Sequence, residues 1–387
     1  MKIIPYARQE ISLKDISNVS KTLKSDFITQ GPEIEKFEKN ICNFTGAKYS
    51  VAVNSATSGL HISCLTLGLN TGDYLWTSPN SFVASSNCAL YCGAKIDFVD
   101  IDEKSFNICP KKLEEKLKKT TLKKLPKILV IVHFGGNPCE LKKIRKLSKI
   151  YNFKVIEDAS HAIGSKYEKT HIGNCKFSDF TVFSFHPVKI ITTGEGGMVL
   201  TNNKKYFNKL SLYRNHGIFK NIKKFHNKKN SNWVYDQTCL GFNYRMNDIE
   251  ASLGSSQLPR IKKFISNRNK IAKKYIEKLK DLPISFQEIG KKNLSSYHLF
   301  VVLIKDTNKQ FNRDKLYQKL KSKGINVNVH YIPIYRHSFY KKLGFKKFHF
   351  KVMEKYYKSC ISLPIYPGLK SNDFNRIIKE IKSFFKR

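Results

Sequence analysis

The chain has 387 residues, 41% hydrophobic and 26% charged, which is ample for a buried core and excludes disorder as its main state. Seventy Lys and Arg against 30 Asp and Glu give a net charge of +40, an excess that attracts anions, nucleic acid first among them. The basic residues are mostly lysines scattered over helical faces and loops (Lys111-Lys112, Lys116 to Lys119, Lys142-Lys143, Lys223-Lys224), the pattern of solvated surface rather than of a polyanion-binding arm.

No apolar run approaches the ~18 residues of a membrane span, and Met1 to Arg8 lacks the apolar core of a secretion signal. Nine cysteines occur with no Cys-x-x-Cys and no zinc spacing. Reduced thiols in a cytoplasmic protein without a metal are therefore expected.

In chain order, Leu13, Ile16, Val19 and Leu23 share one helical face, as do Ile34, Phe37 and Ile41, with Gly46 closing the second helix. Short β-rich runs then recur at 50–53, 74–77, 96–100, 128–133, 154–157, 181–185 and 198–201, with helical stretches such as 141–150 between most of them. Apolar strands alternating with helices predict an α/β fold around a large, mostly parallel sheet. Ligands of such sheets bind beyond the carboxyl ends of the strands. The character changes near Pro259: a Lys-rich helix over about 261–280, a strand at 297–304, a helix at about 313–323, a strand at 325–329 and two terminal helices follow. Two domains are expected, 1–260 and a smaller α+β unit, 261–387.

Three segments follow predicted strands and bear chemistry. Asn54 to Leu60 leads small hydroxyl residues into a helix, which is either a plain N-cap or a phosphate site built from free backbone N–H groups. Glu157-Asp158-Ala159-Ser160-His161 closes an apolar strand with two carboxylates; an Asp there either pairs with a protonated ring nitrogen or caps the next helix. Ser184 and Lys189 stand before a glycine-rich turn, Gly194 to Gly197. A lysine held in a pocket with a lowered pKa becomes a nucleophile toward aldehydes. The glycines fit neither G-x-G-x-x-G nor the P-loop pattern. A phosphate cradle, an acid for a pyridine nitrogen and a lysine for an aldehyde are together what pyridoxal phosphate (PLP) requires.

Blocks along nearly the whole chain (Ile4 to Gln9, Ser25 to Pro32, Val51 to Leu69, Trp76 to Cys92, Glu157 to Tyr167, Ser184 to Gly197, Gly241 to Met246 and Leu363 to Leu369) resemble the DegT/StrS-type nucleotide-sugar aminotransferases of fold-type I. Ser184-Phe185-His186-Pro187-Val188-Lys189 and Thr192 to Gly197 are most similar to the branch that aminates C4 in pseudaminic acid biosynthesis. The resemblance implies that Lys189 bonds the cofactor's aldehyde, that Asp158 keeps its pyridine nitrogen protonated and that His161 stands by its 3-oxygen. It implies that Thr57, Ser58 and Ser184 bind the phosphate and that Phe82 stacks on the ring. Asn243, with Arg245 a candidate beside it, would reach the phosphate of the other subunit in a homodimer. Family members that dehydrate carry His in place of the lysine, so Lys189 points to transamination.

The expected substrates are L-glutamate and a UDP-linked 4-keto-6-deoxy-N-acetylhexosamine, with pyridoxamine phosphate as the intermediate cofactor form. A sister keto sugar is the nearest alternative. A nucleic-acid-binding regulator on the same fold would need an appended helix-turn-helix, for which residues 1–30 are too short. His330-Tyr331-Ile332-Pro333 reads either as an approach to substrate or as a surface turn. His186 is expected to be structural, and His216 and His226 have no assignable partner.

Overall fold

The computed structural model describes residues 2–219, 233–305, 311–345 and 349–386; His226 and the pair Lys223-Lys224 lie outside them. Helices α1 (Leu13–Leu23) and α2 (Pro32–Thr45) precede the strands β1 (Tyr49–Val53), β2 (Tyr74–Thr77), β3 (Lys95–Phe98), β4 (Ile128–Val132) and β5 (Lys154–Asp158). A small hairpin, β6 (Lys166–Tyr167) with β7 (Thr170–His171), leads to β8 (Phe180–Ser184) and β9 (Gly197–Thr201). Helices α3 (Ala56–Thr66), α4 (Ala84–Leu90), α5 (Pro110–Lys119) and α6 (Leu141–Ile150) follow β1 to β4 in turn.

Seven strands form one sheet in the order β1-β9-β8-β5-β4-β2-β3. The pairs from β3 across to β8 are parallel. Strand β9 runs antiparallel to both β8 and β1, because loop 185–196 turns back without the crossover helix that a parallel neighbour needs. Side chains alternate between the two faces: Leu129 and Ile131 enter one core with Phe37, Trp76 and Phe183, while Ile128 and Val130 enter the other with Leu60, Leu75 and Phe98. Both faces are covered, so β4, β8 and β9 are buried throughout.

Helices α7 (Lys204–Arg214), α8 (Asp248–Gln257) and α9 (Ile261–Leu279), with the two-stranded ribbon β10 (Ile218–Phe219) and β11 (Asp236–Gln237), lead to a second, antiparallel sheet. It consists of β12 (Ile284–Phe286), β13 (Phe300–Ile304) and β14 (Cys360–Leu363). Helices α10 (Arg313–Ser322), α11 (Ser338–Lys342), α12 (Lys351–Ser359) and α13 (Ser371–Phe384) complete the chain. Tyr275, Phe300, Leu320 and Ile377 share a third core, which Ile4 joins.

One expectation needs correction, and two features carried no signal in the sequence. Residues 325–329 are not a strand; Ile325 and Asn328 make only single bridges, to Ile4 and Ser362. Strands β12 and β14 carry no readable alternation, being three and four residues long. The apolar face of α1 points outward. Leu13, Ile16 and Leu23 are 85%, 57% and 56% exposed, whereas Asp15 is fully buried. Asp15 closes a capping box with Ser12 and accepts from Ser256 Oγ at 2.6 Å and Gln257 Nε2 at 3.1 Å, with Arg260 as its ion-pair partner. Charge pairing, rather than hydrophobicity, decides which side of this helix turns in.

Candidate active site

The carboxyl ends of β1, β5 and β8 open onto one cavity of about 400 Å³. At the end of β1, Ser55 caps α3 by accepting the Ser58 N–H at 3.1 Å. The Ser58 hydroxyl donates to Asn54 Oδ1 at 2.6 Å, so Ser58 is tied back to the loop, and Ser55, Ala56 and Thr57 line the cavity. The first backbone N–H groups of a helix have no intrahelical acceptor, and the macrodipole favours an anion there. Gly197, where β9 begins, makes this close turn possible: a Cβ there would fall 2.6 Å from Ala56 N and 2.7 Å from Ser55 C.

Strand alternation separates the two carboxylates that close β5. Glu157 turns away, into a buried set where it meets His133 Nε2 at 2.7 Å and accepts from Ser178 Oγ at 2.5 Å. Asp158 turns to the cavity, its Oδ1 accepting from Ser160 N at 3.1 Å and Ser160 Oγ at 2.6 Å.

His161 Nδ1 accepts the Gly135 N–H at 3.3 Å, and its ring lies 4.4 Å from that of His298. Burial, with Lys189 and His330 nearby, holds the His161 pKa well below the usual histidine value. Burial and Lys189 likewise lower His330 to about 3.

Beyond β8, Lys189 lines the cavity with Ser184, its backbone N–H donating to His186 O at 2.9 Å. Burial lowers the Lys189 pKa to about 8, although the charge of Asp158 pulls the other way. Such an amine is neutral often enough near neutral pH to attack an aldehyde.

Thr57, Phe82, Asp158, His161, Ser184 and Lys189 therefore meet at one cavity. Phe82 is 61% exposed and stands in its wall. Ser58 lies just behind the wall. Asn243 is exposed and lies outside the cavity, bridged to Asn215. Arg245 donates to Asn215 Oδ1 at 2.6 Å, and His216 makes a backbone bond to Phe242. His186 is exposed at the cavity mouth.

Sequence reasoning assigned no role to Tyr6, Ser81, Ser160 or Glu195, all of which line the site, and left Tyr331 open. Ser160 carries a local signal, since a hydroxyl two residues after an Asp commonly turns back onto it. Tyr6 and Tyr331 come from the two ends of the chain and carry none. A larger surface cleft, about 780 Å³, lies between residues 102–114, 137–150 and 288–293, but its lysines are interleaved with acids, Lys104 pairing with Glu288. Among the described residues no His, Cys, Asp and Glu cluster suits a metal ion, and no helix is long and apolar enough to cross a membrane.

PLP fits the residues present: a helix N-terminus approached by a glycine strand end can seat its phosphate, Asp158 its pyridinium, and the depressed Lys189 amine its aldehyde. Comparison with known proteins agrees. The model of the DegT/DnrJ/EryC1/StrS aminotransferase family matches residues 9–382. A UDP-4-amino-4,6-dideoxy-N-acetyl-beta-L-altrosamine transaminase of Campylobacter jejuni is 37% identical over 374 residues, 96% of this chain and 94% of that protein. Helicobacter pylori PseC, an aminotransferase involved in pseudoaminic acid biosynthesis, superposes with a TM-score of 0.89 at 31% identity over the whole of both chains. A sugar aminotransferase described as putative, Spr1654 of Streptococcus pneumoniae, solved in its PMP form, superposes with a TM-score of 0.90 at 26% identity over 99% of each chain. With its mixed seven-stranded sheet and its lysine, carboxylate and helix N-terminus at one cavity, the chain belongs to the DegT/DnrJ/EryC1/StrS family of PLP-dependent aminotransferases.

Proposed function

We propose that this enzyme transfers the amino group of L-glutamate to C4 of a UDP-linked 4-keto-6-deoxy-N-acetylhexosamine, giving the 4-amino-4,6-dideoxy sugar of a pseudaminic acid pathway. The observation that carries the reading is that Lys189 and Asp158 line one cavity, where burial lowers the lysine to about 8, in a chain 37% identical to a transaminase named for that sugar. PLP, when bound, supplies the electron sink for the carbanion formed at the reacting carbon.

The rest is the work of the chain. The first turn of α3, with Thr57 and Ser184, holds the phosphate; Asp158 fixes the pyridinium N–H; Phe82 covers one ring face. His161, neutral because its pKa is so far depressed, stands by the 3-oxygen without adding charge. Lys189 Nζ would take the proton from the donor's α-carbon and, in the second half-reaction, deliver one to C4 of the sugar. The net positive charge of the chain draws in two anionic substrates.

A homodimer completes the site in this reading. Asn243 is exposed and outside its own cavity, free to reach the partner's phosphate, and the outward Leu13, Ile16 and Leu23 of α1 are apolar surface that a second copy covers. Incubating the pure protein with glutamate and the UDP-4-keto sugar should yield 2-oxoglutarate and a new sugar amine. Turnover of a different keto sugar alone would replace the substrate and keep the reaction class.

A further inference from the structure

Both oxygens of Asp158 are already in use on the protein side. Oδ1 takes the two Ser160 donors, and Oδ2 accepts from Ser85 Oγ at 2.6 Å. Ser85 is fully buried in the first turn of α4, and its Oγ lies 2.6 Å from that of Ser81. A serine hydroxyl has one proton. That of Ser85 is committed to Asp158, so the Ser81 hydroxyl must be the donor of the second bond. Every proton in this row points toward the carboxylate, an arrangement that an acceptor-only, ionised Asp takes and a protonated one opposes. Ser81 lines the cavity, Phe82 follows it in the wall, and Ser85 comes one helical turn later. One short segment thus carries both a wall of the site and the brace behind its acid.

We propose that Ser85, backed by Ser81, is a positioning residue: a relay of two hydroxyls that fixes the rotamer of Asp158 and keeps its remaining acceptor site aimed into the cavity. It rests on the reading of Asp158 as partner of the PLP pyridine nitrogen. Burial alone would not hold a short carboxylate in one orientation, since its last torsion is broad. Donors on both oxygens leave one orientation in which all are satisfied.

The test compares PLP binding to apoprotein of wild type, Ser85→Ala, Ser85→Thr and Ser81→Ala, with thermal unfolding as the check on folding. Ser85→Ala should weaken PLP binding about tenfold, the scale of one hydrogen bond to a charged group. It should also move the pH titration of the bound cofactor's visible band upward, because a loosely held pyridinium withdraws less charge from the Lys189 nitrogen. Ser85→Thr, which keeps the hydroxyl, should restore both, and Ser81→Ala should fall between, with the KM for glutamate unmoved throughout. A folded Ser85→Ala protein that binds PLP within about twofold of wild type and titrates at the same pH overturns the relay. So does loss of binding that Ser85→Thr fails to rescue. Wild type that takes up no PLP overturns the functional reading itself, an outcome distinct from either.

Discussion

The Tyr331 hydroxyl stands 3.2 Å from Nε2 of His161, joining the loop after α10 to the carboxyl end of the main sheet across the cavity. Gly135 N–H already occupies Nδ1, so in the neutral ring Nε2 bears the hydrogen and Tyr331 accepts it. Nitrogen NMR of histidine-labelled protein should find His161 in that tautomer at every pH where the protein is folded. Tyr331→Phe leaves a buried N–H without its acceptor and should cost about 1–3 kcal/mol of stability.

Lys189 sets a pH dependence. Its amine loses a proton around pH 8 instead of the ordinary 10.5, so capture of a small aldehyde by the apoprotein, trapped with cyanoborohydride, should rise with pH through about 8. Asp158 pulls that value upward, and Asp158→Asn should therefore move the midpoint lower. An upward movement would contradict the geometry. Lys189→Ala should reduce transamination by at least about 10³-fold.

Three buried histidines set another. His161, His298 and His330 are all shifted down by burial. Each binds its proton more weakly folded than unfolded, so stability is full above the unfolded value near 6.5 and is lost as the pH falls toward about 3, the folded value of His330. Up to about 1.4 kcal/mol per pH unit is lost for each proton taken up on unfolding. Unfolding midpoints measured across that window should fall, and His330→Gln should flatten the decline.

Gly197→Ala places a methyl group 2.6 Å from Ala56 N, against backbone that has no room to yield. A loss of about 1–3 kcal/mol in stability is expected, with weaker PLP binding because the same turn forms the proposed phosphate seat.

Leu13→Glu with Ile16→Glu tests the dimer. Both residues are exposed in the single chain, so the fold should survive. For the proposed dimer, sedimentation should show monomers in place of dimers, with loss of activity because the proposed reach of Asn243 into a partner's site is broken.

Much of the large sheet was legible because strands buried on both faces are written as continuous apolar runs: Tyr74–Thr77 matched at both ends, and Ile128–Val132 and Gly197–Thr201 within one residue. The placement of Lys189 and Asp158 at one cavity was legible for a related reason, since residues at strand ends inherit the position of the strand. Legibility failed where one chain segment answers to another far away. Local periodicity described the stripe on α1 but not its direction, since Asp15 is drawn inward by Ser256, Gln257 and Arg260.

The sequence by itself determined the α/β alternation, the order of the functional segments and the residue types that a PLP site needs. Only the tertiary structure decided that Glu157 turns away to His133 and Ser178, that Tyr6 and Tyr331 close the cavity and that Ser85 stands behind Asp158. The physical reason is range. Periodicity and strand ends are properties of neighbours along the chain, whereas hydrogen bonds such as Tyr331 to His161 and Ser85 to Asp158 join residues 170 and 73 positions apart, and no local pattern encodes them.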